Sequence, residues 1–259
     1  MNPSPALQAA LAETARAIDA RFDALLTIPD DARAGLYRAM RHAAIGGGKR
    51  LRPLLVYATA QIFGCDRDCI ARVGTAIEAI HVYSLIHDDL PAMDDDDMRR
   101  GKPTVHKAFD EATAILAGDS LQALAFEILA DPATHPDPFV RAELTLDLAR
   151  AAGPAGMCGG QAMDLGAARA AFDLAMVGRL QALKTGALIA TSVEAGAILG
   201  RVAPEGRTGL RGYGRNLGLA FQIVDDLLDV EGDEAAAGKK LRKDADAGKE
   251  TFVSLLGIE

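Results

Sequence analysis

The chain has 259 residues, of which 49% are hydrophobic, and its formal net charge at pH 7 is −8. This hydrophobic fraction is enough for a substantial core and excludes a disordered chain. The negative charge disfavours nucleic acid as a partner, because nucleic-acid binding depends on clustered cations. An anionic ligand would need positive charge that is gathered locally.

The organisation of the chain is predicted to be simple. No Ser/Pro/Gly-rich linker and no internal repeat is visible, so residues 1–259 are expected to form a single domain. The N-terminus shows no signal-peptide pattern, and no stretch approaches the roughly twenty apolar residues of a membrane span. Cys65, Cys69 and Cys158 fit neither a zinc ribbon nor a disulfide framework. We therefore expect a cytoplasmic protein with reduced thiols and no membrane insertion.

Helical spacing of Ala, Leu and Ile recurs along nearly the whole chain, which predicts an all-α fold. Runs that alternate apolar and polar residues, as strands do, are missing. Glycine and proline clusters separate the helices, at 46–48, 91, 101–103, 131–138 and 159–160. The predicted helices span residues 5–26, 31–45, 51–64, 68–90, 110–131, 138–152, 169–200 and 208–231.

The stretch "SLIHDDLPAMDDDDMRRGK", residues 84–102, holds six aspartates within ten positions. A solvated loop, a helix N-cap cluster or a calcium loop would be the ordinary interpretations. The calcium loop is rejected, because a loop that starts at Asp89 has Asp94 where the glycine belongs. Asp94 lies about 240° around an ideal helix from Asp88, so the two share a face only if the helix breaks. Pro91 supplies a reason for that break.

A second acidic cluster lies inside the apolar segment "GLAFQIVDDLLDV", residues 218–230. Asp225 and Asp229 are about 40° apart on a helix, so their carboxylates share one face. A helix whose acidic edge faces water is the alternative. Two such clusters, each on a strongly apolar helix, favour cation binding, because unpaired carboxylates there cost several kcal/mol. Carboxylates that come in small numbers from different helices suit magnesium, which keeps water and phosphate as its other ligands.

Several basic residues along the chain could bind a phosphate. "GGGKRLRP", residues 46–53, offers Lys49, Arg50 and Arg52 beside a glycine turn that opens a helix, although such a turn is often only structural. Each of the other cations has an ordinary alternative: Lys184 could extend to the surface, His81 could be a satisfied core histidine, and the basic loop at 235–251 could be a lid or a solvated connection.

In this order the motifs resemble the trans-isoprenyl diphosphate synthase family, and most closely its bacterial farnesyl diphosphate synthases. The resemblance covers roughly four fifths of the chain. It implies a bundle of roughly ten helices around a central apolar cavity. It also implies head-to-tail condensation of isopentenyl diphosphate with dimethylallyl and then geranyl diphosphate. The matching segments are "GGGKRLRP", "HVYSLIHDDLPAMDDDDMRRGKPTVH", "AILAGDSL", "GMCGGQAMDL", "LKTGALI", "FQIVDDLLDV" and "GKKLRKDADAGKETF".

The resemblance also implies a role for individual residues. A magnesium cluster, which we expect to contain three ions, would be held by Asp88, Asp94 and Asp225, with support from Asp89, Asp226 and Asp229. The allylic diphosphate would contact Arg99, Lys184 and Lys239. Isopentenyl diphosphate would bind Lys49, Arg52, His81 and Arg100. Thr185 and Gln222 would place dipoles near the forming carbocation, and the enzyme would be a homodimer.

Product length is predicted from the residues that precede Asp88. Tyr83 and Ser84 lie about one helical turn deeper along the apolar face, where the growing hydrocarbon would run. In the family, an aromatic residue five positions before the motif and two extra residues inside it set a floor for a fifteen-carbon product. Tyr83 and "LPAM" match this pattern, although Tyr83 could also be an ordinary core residue.

Several alternatives stay open at this point. A geranylgeranyl or geranyl diphosphate synthase is close, and a catalytically silent subunit of a heteromeric prenyltransferase is a further possibility. A terpene cyclase fits less well, because its second metal motif normally differs from "DDLLD". A plain helical scaffold leaves Lys184, both arginines and both acidic motifs unexplained. The family usually continues beyond "VSLLGIE", so the resemblance implies further C-terminal helices.

Overall fold

The computed structural model describes residues 3–167, 172–231 and 250–257, and it confirms the predicted all-α class. The chain divides into two compact units, one of Met1–Thr145 with Ala195–Ala203 and the other of Leu146–Glu194 with Pro204–Glu259. The single domain stays a prediction. The α-helices are α1 Pro5–Leu25, α2 Ala34–Ala44, α3 Leu51–Ile62, α4 Arg67–Asp88, α5 Val105–Ala108, α6 Glu111–Ala130, α7 Pro138–Ala152, α8 Met157–Ala167, α9 Leu174–Gln181, α10 Ala187–Leu199, α11 Thr208–Glu231 and α12 Phe252–Leu256.

Helix α4 forms the centre of the first unit, where it packs against α1, α3 and α6. Its sequence is apolar almost all round, and most of its residues are buried, as expected of a helix inside a bundle. The helix begins after Asp66, whose carboxylate caps the backbone N–H groups of Asp68 and Cys69. It ends at Asp88, two residues before the predicted end and three residues before Pro91, which has no backbone N–H with which to continue the helix.

A short β-hairpin was not predicted. Strand β1, Met98–Arg99, pairs antiparallel with β2, Lys102–Pro103. The two residues of the turn, Arg100 and Gly101, both have positive φ angles, 53° and 76°, as in a type I′ turn. Two-residue strands are too short to show the alternating pattern from which strands are predicted. The two consecutive arginines at this hairpin have different partners. Arg99 binds Asp89, whereas Arg100 approaches His81.

In the second unit, α8 corrects the prediction that Gly159–Gly160 is a break. Residues Met157–Ala167 are helical. Gly160 is needed there because a Cβ at this position would overlap the backbone of Lys184, so the two segments approach more closely than any side chain allows. We predicted that these glycines break the helix. In the structure Gly160 instead allows close packing inside a helix.

The predicted helix 169–200 is interrupted. Its described part begins at Leu174, after Asp173 caps the N–H of Met176, while residues 168–171 lie outside the described chain. From Ala182 to Gly186 the helix is a π-helix, a rare form that often marks functional sites. The regular helix resumes as α10. The π-helical segment contains both Lys184 and Thr185.

Helix α11 agrees with its predicted bounds. The short helix α12 packs against α9 and α11, and its Phe252 joins the apolar core of the second unit. The other buried members of that core are Ala167, Phe172, Val177 and Leu180. The predicted basic loop at 235–251 lies mostly outside the described residues, and Lys239 is among those that are not described.

In the part of the chain that the structure describes, three helical stretches are long and apolar enough to cross a membrane by length and composition alone, at Arg67–Asp88, Glu111–Ala130 and Leu174–Leu199. The expectation that no stretch approaches this length was therefore wrong. Of the most apolar window in the first of these, 72% is buried inside the protein. Such helices also occur in the interior of helical bundles, where all their faces contact protein. The lack of membrane insertion stays a prediction.

Candidate active site

The first acidic motif folds back on the end of α4. The N–H of Asp94 donates to the carbonyl of Asp88 at 2.9 Å, and the N–H of Asp96 donates to the carbonyl of Asp89 at 3.2 Å. The helix break that the sequence required between Asp88 and Asp94 is therefore present. It returns the backbone of Asp94 to that of Asp88, which an unbroken helix could not do.

Asp89 and Arg99 form a close ion pair in the first unit. The Nε of Arg99 donates to both carboxylate oxygens of Asp89, at 2.7 and 2.9 Å, and Asp89 is only 3% exposed. Burial raises the pKa of the Asp89 carboxyl above its usual range, while the hydrogen bond and charge of Arg99 act in the opposite direction. Asp89 was predicted to support the metal site and Arg99 to bind the diphosphate. In the structure these two side chains contact each other.

Three of the predicted substrate-binding residues, Arg52, His81 and Arg100, lie near one another, and the fourth, Lys49, belongs to the turn before α3. The guanidinium of Arg100 lies 3.5 Å from the Nε2 of His81 and against the glycine turn, where a Cβ on Gly48 would come within 2.5 Å of it. Lys49 is exposed. In the described part of the chain, the Nε of Arg52 is buried without a hydrogen-bond partner. A buried donor without an acceptor is unusual in a folded protein, and an anion is one partner that could satisfy it.

A cavity of about 40 Å³ adjoins Arg100. Its walls come from the end of α2, from α4 and from the hairpin, and they include Arg99, Arg100 and Lys102. The ammonium of Lys102 donates to the carbonyl of Ile45 at 3.1 Å, so Lys102 ties the hairpin to the start of the glycine turn. The positive charge that an anionic ligand requires is therefore gathered in the first unit, despite the negative charge of the whole chain.

His81 is held neutral by its surroundings. Burial lowers its pKa well below 6.5, and the charges of Arg52, Arg100, Arg99 and Arg50 lower it further. A neutral imidazole can still donate or accept a hydrogen bond at an adjacent diphosphate.

We expect acidification to destabilise the fold through His81. The unfolded chain binds a proton near pH 6.5, whereas the folded protein binds it only at lower pH, so stability is lost as pH falls from 6.5 toward the folded pKa. Urea unfolding of the wild type and His81→Gln at pH 7.5 and 5.5 measures this. The wild type should lose up to about 1.4 kcal/mol more than the variant. Equal losses in the two proteins would contradict the assignment.

Tyr83 is buried and Ser84 is half-buried, one turn below Asp88. The ring of Tyr83 makes an edge contact with His87, with centroids 5.8 Å apart. His87 in turn fills the space beside Gly118 on α6, where a Cβ would overlap its imidazole. The hydroxyl of Ser84 donates to the carbonyl of His81 at 2.8 Å. The ring of Tyr83 therefore packs against His87 of the same helix, and His87 in turn contacts α6 at Gly118.

In the second unit, the π-helical segment presents Lys184 toward α8. The Nζ of Lys184 lies 2.8 Å from a carboxylate oxygen of Asp164. Sequence reasoning missed Asp164 as a partner, although it lies in the quoted motif "GMCGGQAMDL". A buried acid three residues after a glutamine in an otherwise apolar helix was the signal that could have found it.

A chain of hydrogen bonds connects the two predicted dipolar residues to the second acidic motif. Thr185 donates to Gln222 at 3.2 Å, and Gln222 donates to Asp226 at 2.9 Å. Asp226 also accepts from the N–H of Phe252 at 3.0 Å. Burial raises the pKa of the Asp226 carboxyl. Asp226 therefore orients Gln222 and Thr185 and attaches the start of α12 to α11.

Asp225 and Asp229 lie one turn apart on α11, both half-buried. Among residues 3–167, 172–231 and 250–257, no group of three or more His, Cys, Asp or Glu side chains could hold a metal ion. The predicted ligands offer only carboxylate oxygens. This donor set fits magnesium, which takes one or two protein oxygens per ion, and does not fit a closed structural zinc site.

The chain matches the model of the family described as polyprenyl synthetase over residues 33–259. This chain belongs to that family. The farnesyl diphosphate synthase of Escherichia coli (strain K12) is 51% identical over 225 residues, which are 85% of this chain and 74% of that protein. The polyprenyl synthetase family membership confirms the resemblance that the motifs predicted.

Solved structures agree with the sequence comparison. The apo structure of an FPP/GFPP synthase from Zymomonas mobilis has a TM-score of 0.88 and 56% sequence identity, covering 98% of this chain and 86% of that one. A geranyltransferase from Helicobacter pylori, complexed with magnesium and isoprenyl diphosphate, has a TM-score of 0.81 and 32% identity, covering 99% of this chain and 86% of that one. This polyprenyl synthetase therefore shares its fold with prenyltransferases.

Proposed function

We propose that this polyprenyl synthetase condenses isopentenyl diphosphate with dimethylallyl diphosphate and then with geranyl diphosphate to give farnesyl diphosphate. The observation that carries the proposal is the cluster of Arg52, His81 and Arg100, in which Arg100 lines the same cavity as Asp89 of the first acidic motif. The sequence identity to a farnesyl diphosphate synthase supports the product.

The proposed metal ligands are Asp88 and Asp94 of the first acidic motif and Asp225 of the second acidic motif, with Asp229 one turn from Asp225. Magnesium bound there, three ions in our proposal, would neutralise the departing diphosphate and so favour ionisation of the allylic C–O bond. Asp89 and Asp226 act differently from the other aspartates. Each orients a neighbour by hydrogen bonds, Arg99 in the first case and Gln222 in the second.

The other proposed roles belong to cations and dipoles. Lys184 and Arg99, each beside its carboxylate partner, stabilise negative charge on the leaving diphosphate. We propose the same role for Lys239, which is not among the described residues. Thr185 and Gln222 direct their oxygen dipoles toward the allylic carbocation. The double bond of isopentenyl diphosphate attacks that cation, and the released pyrophosphate removes the final proton. No side chain is needed as the base.

The test is product analysis by mass spectrometry after incubation of the chain with isopentenyl and dimethylallyl diphosphates. With magnesium, farnesyl diphosphate is the expected main product, and excess chelator should abolish it. A mainly longer or shorter product would contradict the proposed product length. Absence of product with every divalent metal would contradict the proposed activity and favour a silent subunit. The homodimer and the cytoplasmic location stay predictions.

A further inference from the structure

A buried carboxylate lies under the cation cluster of the first unit. Glu78, on α4, is 1% exposed, and its Oε1 accepts a hydrogen bond of 2.7 Å from Arg50, which is 2% exposed. A fully buried ion pair is costly to desolvate and is weak evidence for stability alone. Its presence in a helix that otherwise buries apolar residues therefore suggests a role in the site.

Arg50 fastens the glycine turn to the rest of the first unit. It stands immediately before α3 with a φ of 51°, a conformation that side chains rarely adopt. Its Nη2 donates to Asp19 at 2.6 Å and to the carbonyl of Ala44 at 2.5 Å. With Glu78, these contacts attach the turn to α1, α2 and α4. Lys49 lies in the turn directly before Arg50, and Arg52 lies in the first turn of α3, two residues after Arg50.

The charge of Glu78 also acts on the cations that make no bond to it. Burial lowers the pKa of the Arg52 guanidinium, the charge of Glu78 raises it, and the charge of Arg100 lowers it again. Glu78 likewise favours the charged form of Arg100, which burial opposes. The carboxylate thus offsets the mutual repulsion of three arginines before any diphosphate binds.

We propose that Glu78 is a positioning residue for isopentenyl diphosphate, because it holds Arg50, and through it the turn with Lys49 and the start of α3 with Arg52, in the arrangement that receives the diphosphate. This inference rests on the proposed function and adds a residue that contacts no substrate. Simple electrostatics gives the opposite sign, since removal of a negative charge near an anion site should tighten binding. The sign of the change in isopentenyl diphosphate affinity therefore distinguishes a positioning role of Glu78 from a purely electrostatic one.

The experiment is calorimetric titration of the full chain, separately with isopentenyl diphosphate and with geranyl diphosphate, each of which is stable without the other. The variants are Glu78→Gln, Glu78→Asp and Asp19→Asn. Glu78→Gln should weaken isopentenyl diphosphate binding about tenfold or more and change geranyl diphosphate binding less than about twofold. Glu78→Asp keeps the charge and should recover most of the affinity. Steady-state kinetics should show the same selective rise in KM, with kcat changed less than about threefold.

Unchanged or tighter isopentenyl diphosphate binding by Glu78→Gln would overturn the inference, and so would an equal loss for both substrates. Asp19→Asn removes a more exposed partner of Arg50 and should have a smaller effect than Glu78→Gln. If circular dichroism shows Glu78→Gln unfolded, Glu78→Asp decides, since a loss that is not selective for isopentenyl diphosphate overturns the inference. A wild type that binds neither diphosphate would overturn the proposed function itself, which is a different result.

Discussion

We expect Asp225→Asn to lower kcat about a thousandfold, which corresponds to about 4 kcal/mol of lost transition-state stabilisation. Asparagine keeps the shape of the side chain but removes the negative charge with which a carboxylate binds a hard cation. Asp225 is half-buried on α11 and is not the residue that bonds to Gln222 and Phe252. Because asparagine nearly matches the volume of aspartate, we expect the variant to remain folded, and its melting temperature checks this. Steady-state kinetics with magnesium and differential scanning calorimetry measure both quantities.

The matched control is Glu205→Gln in the same unit, where the carboxylate is exposed and lies away from the acidic motif in sequence. This variant should keep kcat within about twofold of the wild type, as is usual for surface substitutions. An Asp225→Asn enzyme with nearly wild-type kcat would remove Asp225 from the set of metal ligands. A loss of kcat together with a large fall in melting temperature would indicate damage to the fold instead.

We expect Tyr83→Ala to change the main product from fifteen to twenty carbons. The tyrosine is 5% exposed, and its truncation removes the ring that we expect to limit the growing hydrocarbon. The ratio of twenty-carbon to fifteen-carbon product should rise at least about tenfold, since the removed ring exceeds the length of one isoprene step. Mass spectrometry of the products gives this ratio. Truncation of a buried aromatic residue also costs about 3–5 kcal/mol of stability, so the assay belongs well below the melting temperature.

Two variants control for this change. Tyr83→Phe keeps the ring and its edge contact with His87, and it should still give farnesyl diphosphate. Tyr213→Ala removes a tyrosine that is 56% exposed and should leave the product unchanged. If Tyr83→Ala still stops at fifteen carbons, the floor lies elsewhere, and His87 beside Gly118 would be the next residue to replace.

Helical periodicity predicted the elements that carry the acidic motifs. For α4 and α11 it predicted a helix with bounds correct to within a few residues. The prediction succeeded because the apolar pattern of a long helix repeats over many turns. It also gave the break before Pro91. It failed where an element is short or irregular, as in the hairpin at 98–103 and the π-helical segment Ala182–Gly186. A few residues carry too little periodicity to distinguish these forms from a loop or an ordinary helix.

Glycine was the least reliable guide. Gly48, with a φ of 83°, marks a true turn, as predicted. Gly160 was interpreted in the same way, yet it lies inside α8 and is required by the approach of another segment. The sequence shows that a side chain is missing, but not whether the space is needed by the residue's own backbone or by a neighbour.

The sequence by itself determined the family, the all-α class and the residue types of the candidate site, because these depend on local pattern and on the order of motifs. Only the tertiary structure decided which charges meet. Arg99 pairs with Asp89, Lys184 with Asp164 and Arg50 with Glu78. These partners are 10, 20 and 28 residues apart. Such pairing depends on how helices approach one another in the fold, and helical spacing carries no information about that approach.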